Sequence, residues 1–429
     1  MASNLDRRQF LGQSAVTGAA VGIAMSGAST LAASSPSNKV VVGVMGLSRG
    51  RALTSTFAKL KGVEVKYACD VDKNRAGQGA ESLGKVGARK PEAITDFRRI
   101  LDDSDVDVLI CAAPNHWHAP ATILGCSAGK HVYCEKPCSH NPWEGETMVA
   151  AARKHNRAVQ MGSQRRSAPG TVAAIKALHS GAIGRPYLAR SWYTSLRGPI
   201  GTGKPIAVPD RLNYDMWQGP APRMPYLDNR VHYNWHWIWH WGNGELGNNG
   251  VHTLDLCRWG MQVDYPTRVT SSGGRYRFDD DQQTPDTHAV CYEFEGEKQI
   301  TWEGLSCNRH SSGFVTFYGE NGSMELDSGG TFRIYDLRDK LVKEEKSGTN
   351  GEAEHVANFI AAIRNDKPLA LNAEIEKGHK STLLCHLGNI AHRTGDTLNC
   401  DPKNGHIAGN AEAMKLWKRD YEPGWEPKI

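Results

Sequence analysis

Four places in this chain gather side chains able to bind or react. The first is a glycine turn. Lys39-Val-Val-Val-Gly43-Val-Met-Gly46 reads as a strand running into a phosphate-binding loop, continued by Leu-Ser48-Arg49-Gly50. Such a turn aims backbone N–H groups and a helix N-terminus at a pyrophosphate. The spacing departs from G-x-G-x-x-G: Ser48 stands where the middle glycine is expected, and Gly50 arrives one residue early. Asp70 ends a second apolar run 24 residues after Gly46. An acid there hydrogen-bonds the adenosine ribose and disfavours a 2′-phosphate, which favours NAD over NADP. Lys73 and Arg75 lie close by and leave NADP open. The competing reading of Asp70 is a helix N-cap.

The second and third places are Pro114-Asn115-His116-Trp117-His118 and Glu135-Lys136-Pro137, each closing an apolar run. Ligands of an open α/β sheet bind outside the carboxyl ends of its strands, so these signals fall on one rim. Gly43, Gly46, Ser48, Arg49, Gly50, Asp70, Pro114, Asn115, His116, Glu135 and Lys136 are therefore expected around the cofactor. The fourth place is His232-Tyr-Asn-Trp235-His236-Trp237-Ile-Trp239-His240-Trp241. His232, His236 and His240 would share one face of a helix, a spacing that can bind metal. No acidic or cysteine ligand is suitably placed, and no metal ligand is assigned. Aromatic faces stacking on sugar rings, with His and Asn meeting hydroxyls, is the favoured reading. Plain core packing is the third.

The elements that must carry these residues follow from periodicity. Short apolar runs at Val40–Val44, Val63–Cys69, Val106–Cys111, His131–Cys134 and Val159–Met161 alternate with helical stretches at Ala52–Leu60, Phe97–Leu101, Ala119–Ala128 and Glu144–Lys154. That alternation predicts a parallel, doubly wound (Rossmann-type) sheet over 38–162. Beyond Gln164, aromatic and β-branched runs separated by turn residues predict a second α+β domain over 163–429, with a large, open, mainly antiparallel sheet. The Pro/Gly-rich stretches 198–209 and 218–225 read as long ordered loops.

The motifs resemble the Gfo/Idh/MocA family of sugar oxidoreductases. Glu135-Lys136-Pro137 and Pro114-Asn-His-Trp-His are similar to its first-domain motifs. Gly244-Glu-Leu-Gly-Asn248-Asn-Gly250-Val-His252-Thr-Leu-Asp255 is similar to its active-site helix. Gln164-Arg165-Arg166, Asp215-Met-Trp217-Gln-Gly219-Pro220, Tyr318-Gly-Glu-Asn-Gly322 and His355-Val-Ala-Asn358 extend the likeness over the chain beyond the leader. The resemblance implies catalytic roles for Lys136 and His252. Where many members carry an aspartate four residues before that histidine, this chain has Asn248.

Elementary chemistry agrees. Removing hydride from a secondary alcohol needs a base for the hydroxyl proton and a donor for developing oxyanion character. Lys136 beside a positive nicotinamide, and His252 with a near-neutral unperturbed pKa, fit those needs. Asp255 reads as an orienting or capping residue. Gln164, Arg165, Trp235, His236, Trp239, Asn248 and His252 are the candidates for contacting a carbohydrate substrate. Arg165 and Arg166 fit substrate contact and domain bridging equally well.

Asp6-Arg7-Arg8-Gln9-Phe10-Leu11 is a twin-arginine pattern before an apolar, small-residue stretch. Residues 1–33 therefore read as an export signal, with cleavage expected near Ala32 or Ala33. This predicts passage through the twin-arginine machinery to a periplasmic or extracytoplasmic location, already folded and with cofactor inside. The formal charge is +5, of which the leader supplies +1, and no run of five basic residues occurs. Nucleic acid is not an expected partner. The ten cysteines are scattered without a C-x-x-C pair, the usage of small buried hydrophobes. The expected protein is thus a homo-oligomeric, NAD(P)-dependent oxidoreductase acting on a sugar, glycoside or cyclitol hydroxyl. An NAD-dependent glycosidase whose redox cycle closes on the enzyme is the alternative.

Overall fold

The computed structural model describes residues 39–429. The twin-arginine stretch lies outside the described residues. Strands β1 (Val40–Met45), β2 (Val63–Cys69), β3 (Glu92–Ile94), β4 (Val108–Cys111), β5 (His131–Cys134) and β6 (Val159–Met161) form one parallel sheet in the order β3-β2-β1-β4-β5-β6. Sequence order reverses between β1 and β4, and a crevice opens there at the strands' carboxyl ends. β1 and β4 are buried at every position, as a sheet covered on both faces requires.

The second sheet has eleven strands. Its path runs β15 (Leu341–Glu345), β14 (Phe332–Tyr335), β13 (Gly322–Leu326), β12 (Val315–Gly319), β7 (Pro186–Leu196), β10 (Lys298–Leu305), β9 (Thr287–Phe294), β8 (Arg268–Gly274), β16 (Leu398–Cys400), β17 (Ile407–Ala408), with β11 (Cys307–Asn308) paired to β7. All its pairs are antiparallel except β7 with β10. Strands β9, β10, β12 and β13 alternate buried and half-buried residues, so one face packs on helices. Those helices are Val251–Met261 and Ile375–Thr394, whose Leu254, Cys257, Leu383 and Leu387 are fully buried. The chain thus has the α/β class expected, a parallel sheet followed by a mainly antiparallel one.

One helix crosses the expected division of the chain. Glu352–Arg364 comes late in the sequence, yet its Val356, Phe359 and Ile360 pack into the core of the first sheet with Val42, Leu53 and Tyr133. Phe57, Tyr133 and Phe359 meet edge to face there. The Pro/Gly-rich loops are anchored: Ile200 N donates to Asp280 and Gly203 N to Asp281. Leu212, Tyr214, Trp217, Ala221, Trp235, Ile238 and Trp241 form a separate aromatic core beneath them. All ten cysteines are free thiols, and only Cys291 and Cys307 are not fully buried.

Candidate active site

A cleft of about 340 Å³ lies along the carboxyl rim of the first sheet. Its floor is the turn after β1. Gly46 has φ +89°, and a Cβ there would stand 2.5 Å from the carbonyl oxygen of Ala112. Only glycine fits that turn without strain. Gly50 lies in the first turn of the helix Arg49–Ala58, where a Cβ would meet Val44 at 3.0 Å and Ala112 at 3.1 Å. It lets helix and strand approach. The helix has no side-chain cap at Ser48, so its N-terminal amides remain available to a phosphate. Gly43 is buried within β1 against Ile100 and serves packing, away from the cleft surface.

Asp70 settles between its two readings by geometry. Its carboxylate accepts from Leu47 N and from Asp72 N, both at 3.0 Å, and lines the cleft. The N-cap of the next helix, Lys73–Gly84, is Asp72, which accepts from Asn74 N and Arg75 N. Burial pushes the Asp70 carboxyl upward in pKa, against the two backbone donors that hold it down. Lining the cleft beside the glycine turn, it is the residue type and place that would hold a ribose diol. Asp72 also accepts from Arg211 Nε at 3.0 Å and lies 3.1 Å from His232 Nε2. Two residues of the later chain are thereby tied to the cap of the Lys73–Gly84 helix, two residues from Asp70.

The middle of the cleft is framed by Pro114, Asn115, Trp117 and His118. Asn115 donates to Asn243 at 3.0 Å. His116 is fully buried and meets the Trp217 carbonyl, which also accepts from Trp117 Nε1. It braces the wall without lining it. Both ring nitrogens of His118 face carbonyls, of Pro137 at 2.6 Å and Ala113 at 2.7 Å. Glu135 accepts from Arg49 Nε and from Lys136 N. Arg49 also pairs with Glu352, so the helix that crosses the chain's division reaches the cleft.

At the far end Lys136 Nζ donates to the carbonyl of Asn248 at 2.5 Å and to its Oδ1 at 3.1 Å. An ammonium has three protons, so one remains for a ligand oxygen. Burial lowers the Lys136 pKa, partly offset by Glu135 and Glu245. Asn248 sits in a π-helical turn, Leu246–Gly250, leading into the helix Val251–Met261 that carries His252. Such turns are frequent at functional sites. His252 lines the cleft with Nδ1 buried and unpartnered. Burial, then the charges of Arg165, Lys136 and Arg49, hold it well below the ordinary histidine value. It is a neutral imidazole at physiological pH.

Asp255 accepts both contacts of Arg166 Nε, at 3.0 and 2.8 Å, and one from Ser381 Oγ at 2.6 Å. Arg166 is therefore a buried bridge. Arg165 packs its guanidinium over Phe314 at 4.9 Å behind the cleft end where Gln164 is exposed to the cavity.

The tryptophan–histidine run holds one 3₁₀ turn, Asn234–Trp237, between irregular turns, and its three histidines have separate partners. His232 meets Asp72, His236 the Tyr233 carbonyl at 2.6 Å, and His240 the Pro222 carbonyl at 2.8 Å. His236 stacks on Trp235 at 3.6 Å, and both line the cleft. Trp239 does not: it lies under Arg393 in a separate, smaller pocket with His140 and Asn243. Among the described residues no group of three His, Cys, Asp or Glu is placed to hold a metal ion. Sequence reasoning passed over Trp217, His232 and Tyr233 as wall residues. For Trp217 the signal was present in the Asp215-Met-Trp217-Gln-Gly motif.

The fold and the cleft define a dinucleotide-binding protein with a second, sheet-based lobe. Residues 38–163 match the NAD-binding Rossmann fold of the oxidoreductase family Gfo/Idh/MocA, and residues 191–426 its C-terminal alpha/beta domain; the chain belongs to that family. NAD is the cofactor of the first domain. Inositol 2-dehydrogenase of Salmonella typhimurium is 33% identical over 150 residues, 35% of this chain and 43% of that protein. The alpha-N-acetylgalactosaminidase of Shewanella oneidensis is 34% identical over 118 residues, 26% of each. The chain thus spans less than half the length of these curated relatives. A levoglucosan dehydrogenase solved with NADH and levoglucosan superposes with TM-score 0.65 at 19% identity, covering 84% of this chain and 99% of that one.

Proposed function

We propose that this protein is an NAD-dependent oxidoreductase acting on a CH–OH group of a sugar, glycoside or cyclitol. The observation that carries the reading is the convergence of Lys136, Asn248 and His252 at one end of the dinucleotide cleft. When bound, NAD supplies the hydride acceptor that converts the alcohol carbon to a carbonyl. His252, neutral at physiological pH, takes the hydroxyl proton. Lys136 spends two protons on Asn248 and gives the third to the substrate oxygen as it gains negative charge. Trp235 and His236 offer a stacked aromatic wall for a sugar ring.

The proposal includes export with the cofactor already held. The ties from Arg211 and His232 to Asp72 support retention, because they hold the later chain to a helix cap two residues from Asp70. Retention in turn keeps the redox-neutral alternative in play: a glycosidase that oxidises, eliminates and reduces again needs no cofactor supply. The relative from Shewanella, itself a glycosidase by name, is the observation in its favour.

Aryl glycosides separate the two. NADH accumulating with substrate turnover, and lost in Lys136→Ala, is the expected result. Release of aryl alcohol with no net cofactor reduction supports the glycosidase, and turnover near wild type in Lys136→Ala refutes the site assignment. Nicotinamide released on denaturing the purified protein reports retention.

A further inference from the structure

We propose that the substrate is an acidic sugar of the uronic-acid class, its carboxylate bound by Arg165; this rests on the oxidoreductase reading of the same cleft. Among the described residues the Arg165 side chain makes no hydrogen bond or ion pair, and its Nε is buried without a partner. Burial lowers its pKa with no carboxylate offsetting it, and the carboxylates around Lys136, Arg49 and Arg166 are already engaged. Glu135 is held by Arg49 and the Lys136 amide. Glu352 is taken by Arg49 and Thr56. Glu245 pairs with Arg197, and Asp255 with Arg166 and Ser381.

A buried guanidinium without a counter-ion is costly unless a ligand supplies one. Arg165 lies directly behind the cleft wall, next to Gln164, which lines it. Its 3₁₀ turn, Gln164–Ser167, packs against the helix bearing His252, and its neighbour Gln164 lines the cleft. Its charge bears on both Lys136 and His252. Asn248 adds no acid to the offset that Glu135 and Glu245 give Lys136. The guanidinium lies 4.9 Å over the Phe314 ring, and a guanidinium fork is matched by a planar carboxylate, which accepts two parallel N–H donors. A neutral sugar offers only hydroxyls there and leaves the charge uncompensated.

The test uses the full-length protein with NAD⁺ added. The probes are glucuronate, galacturonate and methyl glucuronide, their neutral parents glucose, galactose and methyl glucoside, and glucose 6-phosphate. Two readouts are taken: kcat/KM from NADH formation, and the thermal midpoint of the NAD-bound protein. At least one acid should exceed its neutral parent by about 100-fold or more in kcat/KM and raise the midpoint further. Arg165→Met should collapse that ratio to within about 3-fold, and Arg165→Lys should leave an intermediate ratio. If Arg165→Met does not fold, Arg165→Lys carries the test.

A wild-type preference for the neutral parent, a ratio unmoved by either substitution, or stronger stabilisation by glucose 6-phosphate than by any carboxylate overturns the proposal. Failure of the two readings looks different. Lys136-dependent oxidation of neutral sugars with acids ignored sinks the acidic-sugar inference alone. Arg165-dependent stabilisation by a uronate, with no probe oxidised, sinks the oxidoreductase reading and leaves the anion site standing.

Discussion

Asn248→Asp restores the carboxylate that many relatives carry at this position, and its effect can be worked from the contacts of Lys136. Nζ lies 3.1 Å from Asn248 Oδ1. A carboxylate oxygen at that distance brings a gross attraction of about 5 kcal/mol at an effective dielectric of about 20. Desolvating the new charge takes back much of this, leaving a rise of about 1–3 pKa units at Lys136. The native lysine starts below its ordinary value because of burial, opposed in part by Glu135 and Glu245. As a protonated donor to the substrate oxygen, it loses function as pH rises through its pKa. The alkaline limb of kcat/KM therefore moves upward by that amount in Asn248→Asp. The acid limb belongs to His252, held well below its ordinary value by burial and then by Arg165, Lys136 and Arg49; offsetting Lys136 moves it upward too, by less than the alkaline limb. Initial rates of NADH formation across a constant-ionic-strength buffer series read both limbs. An alkaline limb that stays put while the acid limb shifts refutes the assignment of donor and base.

The remaining predictions concern the frame around that chemistry. Gly46→Ala forces a Cβ to within 2.5 Å of the Ala112 carbonyl at a φ of +89°; strain of about 1–3 kcal/mol should weaken NAD binding by calorimetry roughly 5–150-fold, and unchanged affinity would sink the cradle argument. Asp255→Ala strands Arg166, itself 6% exposed, without its counter-ion. Breaking a buried pair costs about 3–5 kcal/mol; with an unfolding entropy of about 0.8 kcal/mol/K for about 390 residues, the thermal midpoint should fall about 4–6 °C, and a fall below about 1 °C would contradict a bridging role. Asp72→Ala removes a helix cap and both ties of the later chain to it. NADH release by stopped-flow fluorescence should quicken about 5–30-fold for a loss of about 1–2 kcal/mol; an unchanged off-rate would show that the ties do not hold the cofactor.

Local signals in the sequence were readable because their causes are local. The apolar runs of β1, β2, β4 and β5 are continuous because both faces of that sheet are covered. Gly46 is diagnostic because no other residue fits its φ and its contact with Ala112. The helix Lys73–Gly84 escaped the periodicity reading: Lys-Asn-Arg-Ala-Gly-Gln-Gly-Ala-Glu-Ser-Leu-Gly has few apolar positions and three glycines. Its cap, Asp72, stood two residues from Asp70, and only coordinates show which carboxylate caps and which faces the ligand. The histidines of 232–240 suggested one helical face because spacing alone cannot see a 3₁₀ turn that leaves them with separate partners. Trp239 failed as a cleft residue for the same reason: one turn places it beyond the wall, under Arg393. The packing of Glu352–Arg364 on the first sheet, and the reach of Glu352 to Arg49, depend on contacts about 300 residues apart in the chain and leave no local trace.

Asn248 departs from the family pattern and Arg165 lies in a segment that matches it, and the charges around Lys136 and His252 join the two. A carboxylate at position 248 would neutralise Lys136 from within the protein, and Arg165 would then be the one surplus cation at that end. With asparagine there, Lys136 has only Glu135 and Glu245 to offset it, Arg165 has no carboxylate, and both cations depress His252. The depression keeps the base unprotonated at physiological pH. It also means that an anion entering the cleft tunes the base: neutralising Arg165 raises the proton affinity of His252 at the moment the substrate is in place. Binding charge and basicity are therefore coupled in this cleft through Arg165, and a neutral substrate would forgo both the ion pair and the stronger base.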